Sequence, residues 1–447
     1  MGDDDCKALR DQLVDRLSNA GRLCTEQVAD AFRTVPRHLF LPGVEPGKSY
    51  ADEAIPTKWQ PDGRAISSSS QPAVMAVMLE QLCVEAGQRV LEIGAGTGYN
   101  AALLSHLVGE AGAVTTVDID EDLVEQASRH LAAVGLARVK VVCADGADGW
   151  AESAPYDRII LTVGAEDLAP AWIDQLATGG RLVLPLSLRG AQRSVAFERA
   201  EDHLTSVSIV DCGFMPLRGA LAGPDSVRRL GAEPWVHLRF DADREIDTGA
   251  LYAALHQPWD AVSTGVGVTP DDVMGGLGLW LALHEPDIGQ LSALGAAVGR
   301  GLVPALVAFP GVALTTVLIG KGALAASSAP TRRAHPRTDL ISGFSPSAPR
   351  LTSSLAGWRS TCIPGRHADG PRPPNSASRR TAEPGQTMMR RGSSSTRVTP
   401  GYYSTGQPPS VTAHPPTRPS RLRPDLSLSA SQAADWGNAQ PPRSRRP

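Results

Sequence analysis

Three groups of side chains in this sequence are spaced for chemistry: glycines after an apolar run, carboxylates that end two further apolar runs, and four consecutive serines. Gly94, Gly96 and Gly98 follow the run Val90–Ile93, with Glu92 just ahead of them. Glycine has no Cβ and tolerates positive φ, so such a turn lets a ligand lie against bare backbone. A dinucleotide fingerprint requires G-x-G-x-x-G. Here the third glycine comes one residue early and Tyr99 takes its place, which counts against a nicotinamide-dependent oxidoreductase. Asp118 and Asp120 end the second apolar run, and Asp145 followed by Gly146 ends the third. Ser67 to Ser70 stand directly before Gln71-Pro72. No Ser/His/Asp set, no paired carboxylates and no zinc-spaced Cys/His cluster accompany them.

The elements that must position these residues alternate. Strands are expected at Arg89–Ile93, Val114–Ile119, Val139–Ala144, Asp157–Val163 and Arg181–Leu186. Helical spacing follows the first two, through Ala101, Leu103, Leu104 and Leu107 and then from Glu121 to about Val134. A short helix near Ala171–Leu176 precedes the fifth. Val195–Arg199 and Leu204–Phe214 read as antiparallel additions. Strands alternating with helices predict an α/β fold with a doubly wound, Rossmann-like parallel sheet, its ligand at the carboxyl ends of the strands near the topological switch point. Upstream, Lys7–Leu17, Thr25–Phe32 and Ala73–Leu82 have helical spacing, with Thr25 as a cap for the second.

Charge divides the chain. Of its 43 basic and 47 acidic residues, 18 basic and 5 acidic fall after Ala326, leaving 25 against 42 in Met1–Ala326. The acidic body argues against nonspecific nucleic-acid binding. From Ser327 onward there is no lysine, and Arg, Pro and Ser dominate without helical or strand period. That composition predicts disorder. It also suits a GC-rich stretch read in a shifted frame, or an arginine-rich arm on a non-catalytic cofactor-binding protein. The expected division is 1–72, a helical and substrate-binding segment; 73–240, the cofactor-binding domain; 241–326, a small accessory α/β domain; and 327–447, the tail. The uncharged run Gly301–Gly320 is interrupted by Pro304 and by Phe309-Pro310-Gly311, which predicts two short β-rich runs joined by a turn rather than a membrane span. Six scattered cysteines without C-x-x-C pairing, and an acidic start without an apolar h-region, predict a cytoplasmic protein.

The glycine spacing, with the strand and Glu92 before it, resembles motif I of class I S-adenosylmethionine-dependent methyltransferases. A second set of motifs is more specific. VPRHLFLP (Val35–Pro42), Tyr50-Ala51-Asp52, Ile55-Pro56 and AISSSSQP (Ala65–Pro72) precede the glycine loop. ADGADGW (Ala144–Trp150), YDRIILTVGA (Tyr156–Ala165), GGRLVLPL (Gly179–Leu186) and FMPLRG (Phe214–Gly219) follow it. In this order, over Thr25 to Gly219, they resemble the protein-L-isoaspartate O-methyltransferase family. The accessory domain and tail exceed the compact family enzyme, and the layout is similar to actinobacterial members associated with lanthipeptide maturation.

The resemblance implies a carboxyl methyltransferase using S-adenosylmethionine on isoaspartyl or aspartyl residues of proteins or peptides, with the ester collapsing to a succinimide. A carboxylate oxygen is already anionic at neutral pH, so positioning and water exclusion carry the rate. Gly94, Gly96 and Gly98 are expected beside the methionine part of the cofactor, with Glu92 orienting the loop. Asp118 is expected to accept the ribose hydroxyls, with Asp120 as the competing candidate. Asp145 would accept the adenine amino group, and Gly146 would allow close approach. Ser70, or alternatively Ser67, would donate to the substrate carboxylate. The two readings arise because the family's single serine is here a run of four. Ile55, Pro56 and Val163 are expected along the substrate groove by resemblance.

Overall fold

Neither face of the first strand reaches water: Val90, Leu91, Glu92 and Ile93 are all buried. A strand of this kind belongs inside a sheet covered on both sides. The computed structural model describes residues 3–344 except 62, 190, 224–226, 232–234, 241–243, 258–259, 269–275, 304, 306, 310–311, 321–322 and 329–337.

Helices α1 (Asp3–Asn19) and α2 (Glu26–Thr34) open the chain. The Thr25 side chain caps α2 by accepting from the Val28 amide. A 3-10 turn (Arg37–Phe40) and α3 (Pro46–Ser49) lead to a hairpin of β1 (Ile55–Trp59) and β2 (Ala65–Ser69). The serine run is therefore mostly strand: Ile55 faces Ser69, Pro56 faces Ser68 and Lys58 faces Ser67. Then come α4 (Pro72–Leu82), β3 (Arg89–Ile93), α5 (Tyr99–Val108), β4 (Ala113–Asp118), α6 (Glu121–Ala133), β5 (Lys140–Cys143), β6 (Tyr156–Leu161), α7 (Pro170–Gln175), β7 (Leu176–Leu188), β8 (Ala191–Arg199) and β9 (Leu204–Asp211).

The main sheet runs β5-β4-β3-β6-β7-β8-β9. β3 pairs in parallel with both β4 and β6, so the order reverses at its carboxyl end. β8 and β9 are antiparallel additions. β7 outgrows its expected length because its second half continues through a tight return into β8, Leu188 facing Ala191. β9 stops at Asp211, short of the expected Phe214, because the Phe214 amide turns to the Gln192 Oε1. One face of the sheet packs α1, α2, α4 and α5 into a core that includes Leu13, Phe32, Met78 and Leu104. The other packs α7, with Trp172 closed off from solvent. Each buried leucine of these cores contributes about 1.5–3 kcal/mol.

A second, antiparallel sheet follows, and its bounds differ from the expected 241–326. β10 (Val227–Arg229) and β11 (Val236–Phe240) belong to it, because Val236, Leu238 and Phe240 alternate into its core with Leu291 and Val317. It continues through β12 (Asp260–Val268), β13 (Ile288–Leu294), β14 (Val307–Phe309), β15 (Val312–Ile319), β16 (Leu324–Ser328) and β17 (Thr338–Phe344). Its strand order is β10-β11-β13-β15-β16-β17-β12, with β14 paired to β15. Helix α8 (Thr248–Leu255) packs Leu251 and Leu255 into its core, α9 (Gly278–His284) lies instead against β7 and β8 of the main sheet, and the short α10 (Ala296–Gly299) adds Ala297 to the second core. β17 lies in the stretch expected to be tail, and it pairs with both β16 and β12. The remainder of that stretch, 345–447, with Cys362 and most of its arginines, lies outside the described residues. β14 and β15 form antiparallel runs on either side of Pro310-Gly311. Among the described residues, no helix is long and apolar enough to cross a membrane.

Candidate active site

The glycine turn is fixed from three sides. The Gly94 and Ala95 amides donate to the Val117 carbonyl at the end of β4, at 2.8 and 3.2 Å. The Thr162 amide, beyond β6, donates to the Ile93 carbonyl at 2.9 Å, and its Oγ1 donates to the Gly94 carbonyl at 2.6 Å. Gly94, Gly96 and Gly98 take φ of +104°, +50° and +85°, a region where side chains are strained. At Gly94 space is lacking as well, since a Cβ would sit 2.6 Å from Thr162 Oγ1.

Behind the turn, Glu92 is wholly buried. Its Oε1 accepts from Asn100 Nδ2 at 2.8 Å and its Oε2 from Thr116 Oγ1 at 2.7 Å. Glu92 therefore ties β3 to β4 and to the first turn of α5. Burial raises its pKa to about 7, against the lowering effect of these two hydrogen bonds. Asp118 Oδ2 accepts from the Gly96 amide at 3.0 Å, and its Oδ1 from the Asp120 amide at 3.2 Å. Burial pushes the Asp118 carboxyl above the usual range.

An open cleft of about 850 Å³ lies over this turn. Ile66–Ser70 form one wall, Ile93–Thr97 the floor, Val117–Ile119 a second wall and Phe214–Arg218 a third, with Gly146 and Val163 also exposed to it. Of the residues singled out in the sequence, Ser67, Ser70, Gly94, Gly96, Asp118, Gly146 and Val163 meet here. Six, Asp120 among them, do not line it. Glu92 sits behind the floor. Gly98 caps α5 and packs against Ala127 of α6. Ile55 and Pro56 form the outer strand behind the serines, because β1 pairs on the far side of β2. Asp145 turns its carboxylate to the Ala147 amide at 2.9 Å and the Ala220 amide at 2.7 Å, so it anchors the 214–220 segment.

The serines alternate, as strand residues must. Ser67 and Ser69 are buried, Ser68 and Ser70 half-buried. Ser67 Oγ receives a hydrogen bond from Thr57 Oγ1 at 3.2 Å and lies 3.8 Å from where a Cβ on Gly96 would stand. Ser69 Oγ is held by Arg37 Nη2 at 3.3 Å. Among the described residues no hydrogen bond engages the Ser70 hydroxyl, which leaves it free to donate into the cleft.

Asp120 points elsewhere. It receives Arg218 Nη1 and Nη2 at 3.1 and 2.7 Å and Lys58 Nζ at 2.9 Å. Arg218 above all, then Lys58, holds its carboxyl below the usual range despite partial burial. It ends up at the N-terminus of α6 without capping it by its side chain. Reading the sequence missed Asn100, Thr116, Thr162, Lys58 and Arg218. Arg218 stood inside the FMPLRG motif, but nothing local announced its partner.

The parallel sheet with antiparallel additions, the glycine turn at its switch point and the acid closing β4 define a class I S-adenosylmethionine-dependent methyltransferase. A family model described as Protein-L-isoaspartate(D-aspartate) O-methyltransferase (PCMT) matches residues 8–222. A protein-L-isoaspartate O-methyltransferase of Methanopyrus kandleri is 37% identical over 223 residues, 49% of this chain and 96% of its own length. One from Stenotrophomonas maltophilia is 42% identical over 210 residues, covering 47% of this chain and 88% of its own. One from Thermotoga maritima is 42% identical over 173 residues, of which the match spans 54% of its length. A solved structure titled protein-L-isoaspartate O-methyltransferase aligns with 25% identity and a TM-score of 0.45, covering 79% of this chain and 92% of that one. The chain belongs to the protein-L-isoaspartate O-methyltransferase family, and it is an enzyme of that class. The family match ends before the second sheet begins.

Proposed function

We propose that the cleft binds S-adenosylmethionine and presents it to an isoaspartyl carboxylate of a protein or peptide. The observation that carries this reading is that Ser70, with an unengaged hydroxyl, and Gly94 and Gly96, with bare backbone, border one cleft. The residues fit the cofactor: Gly94 and Gly96 leave gaps in the floor for the methionine part, and Asp118 lines the cleft where ribose hydroxyls would donate. Gly146 leaves room at the adenine end, where a Cβ would meet Ile93 Cγ2 at 2.5 Å. The Asp145 carboxylate already accepts two backbone amides, so its share in adenine recognition falls to its remaining lone pairs. Bound there, the cofactor supplies an electrophilic methyl group on a sulfonium.

The residues of the chain then position and dry the site. Ser70 donates to one oxygen of the substrate carboxylate, leaving the other to displace the methyl group in line. A neutral donor suits this task, because a cation would reduce the nucleophilicity of the oxygen. No base is needed, since the nucleophile is already ionised. Val163 borders the acceptor end, and Ile55 and Pro56 support it from behind β2. The neighbouring backbone amide nitrogen then attacks the ester carbonyl, forming a C–N bond as the C–O bond breaks and methanol leaves with the amide proton, which closes a succinimide. The acceptor class rests on what the family relatives are named for. The finer reading, maturation of one dedicated ribosomal peptide, rests on the domain layout alone. Five free cysteines, with no disulfide among the described residues, support a reducing, cytoplasmic setting.

The test is methyl incorporation from labelled S-adenosylmethionine into an isoaspartyl peptide, its aspartyl twin and any small precursor peptide encoded beside the gene. Base-labile label on the isoaspartyl peptide alone is the expected result. Label confined to the precursor would select the dedicated reading, and label on none would overturn both.

A further inference from the structure

Lys58, Asp120 and Arg218 come from three separate segments; two of these end in residues that line the cleft, and the third backs the serine strand that does. Lys58 sits on β1, the strand that backs the serines. Asp120 follows Asp118 by two residues. Arg218 ends the Phe214–Arg218 wall. Arg218 lays both terminal nitrogens on the Asp120 carboxylate, and Lys58 shares its Oδ2 while also reaching Asp122 Oδ1 at 2.6 Å. An exposed pair of this type contributes little. This one is a network of four charges around a carboxylate that is only 18% exposed, with a two-pronged guanidinium contact. Among the described residues it is the charged link that joins the serine hairpin to the Phe214–Arg218 wall.

Asp120 is also coupled to the cofactor side. Its amide donates to Asp118 Oδ1, whose second oxygen holds the Gly96 amide. One short turn therefore connects the glycine floor, the acid facing the ribose position and the clasp across the mouth. We infer that Asp120, gripping Lys58 and Arg218, is a positioning residue that clamps the serine hairpin and the 214–218 wall over bound cofactor, setting both cofactor residence and the placement of Ser70. The inference deepens the methyltransferase reading and rests on it. Asp120 touches no reacting atom in this arrangement. Its effect passes through the two walls, and it should appear in release and in acceptor KM more than in the cofactor contacts of Asp118.

The experiment uses the full chain and S-adenosylhomocysteine. Wild type should bind it, and its dissociation should quicken with added salt as the clasp is screened. Asp120→Asn should speed dissociation about tenfold and flatten that salt dependence. Asp120→Glu should restore much of both. Lys58→Met and Arg218→Gln should each speed release, and together less than the product of the two, because they act through one carboxylate. Acceptor KM should rise in step, with melting temperature within a few degrees of wild type. If Asp120→Asn and Lys58→Met remain folded and release at the wild-type rate, the clasp is overturned while cofactor binding stands. If wild type binds no S-adenosylhomocysteine, the cofactor reading itself fails and takes the clasp with it.

Discussion

The Arg37 guanidinium, fully closed off from solvent, donates Nη2 to the Ser70 carbonyl at 3.0 Å. The same nitrogen reaches Ser69 Oγ and the Glu53 carbonyl, and the guanidinium lies over the Tyr99 ring, 5.5 Å from its centre. Burial lowers its pKa to about 10, against the raising influence of nearby Tyr99, Asp52 and Tyr50. A buried cation thus sets the backbone on which the acceptor serine stands. Arg37→Ala should cost about 3 kcal/mol of stability by stranding these acceptors and opening a void. Arg37→Lys should keep the charge but shift it away from the Nη2 position that makes every one of these bonds, lowering kcat/KM for the peptide more than binding of S-adenosylhomocysteine. Thermal melting and steady-state kinetics read the two effects separately.

Ser70→Ala should reduce kcat/KM about ten- to a hundredfold, the worth of one hydrogen bond to a charged group in the transition state. Ser67→Ala removes instead the acceptor of the Thr57 hydroxyl and should cost about 1 kcal/mol of stability with a smaller kinetic effect. Parallel kinetics on the two variants decide between the serines. A larger loss for Ser67→Ala would transfer the role to it.

Glu92 makes a pH prediction. Its folded-state pKa, raised from 4.5 to about 7 by burial, means that the folded chain holds this proton more tightly than the unfolded one. The stabilising contribution is therefore complete below about 4.5 and is lost as pH rises through about 7. Glu92→Gln is uncharged and can keep the Asn100 bond at its oxygen, while its Nε2 donates to the Thr116 hydroxyl in a reversed bond. Its stability relative to wild type should grow across that window, by on the order of 3 kcal/mol, and level off above it. Melting curves of both proteins over the pH series give the comparison.

Trp172, buried on α7, donates its indole N–H to the Gly146 carbonyl at 2.8 Å. Trp172→Phe should leave that carbonyl without its partner and a small void beside it, costing about 2 kcal/mol. Because Gly146 borders the cleft, S-adenosylhomocysteine binding should weaken as well, which calorimetry would detect.

The parts of this site that follow from local pattern could be read in the sequence. The strand, the glycine spacing and the acid closing the next strand are fixed by periodicity and by backbone geometry, and they place Gly94, Gly96 and Asp118 on one cleft. What escaped depends on contacts between distant segments. Lys58 meets Asp120 across 62 positions and Arg218 meets it across 98, and no spacing rule links such residues. Asp145 was legible as a strand-end acid, but not the fact that the Ala220 amide would occupy it. The serine run gave no strand signal in the sequence, because four serines carry no hydrophobic alternation. Pairing with β1 makes it a strand. The bounds of the second sheet were missed for a similar reason: β10 has only three residues and β17 stands in an Arg/Pro/Ser-rich stretch, and only their partners reveal them.

β17 has a consequence for how the chain is made. The main sheet has all its strands once residue 211 has been synthesised, and it can close while the rest is still emerging. In the second sheet, the last strand in sequence is an inner strand, and β12 pairs only with it in the strand order. Until Thr338–Phe344 arrives, β12 and β16 each present an unsatisfied edge, the kind of surface that invites pairing with another chain. The two halves therefore differ in their exposure during biosynthesis. A ribosome that stalls or terminates before residue 338 would release a chain whose methyltransferase sheet is complete and whose second sheet is open to aggregation.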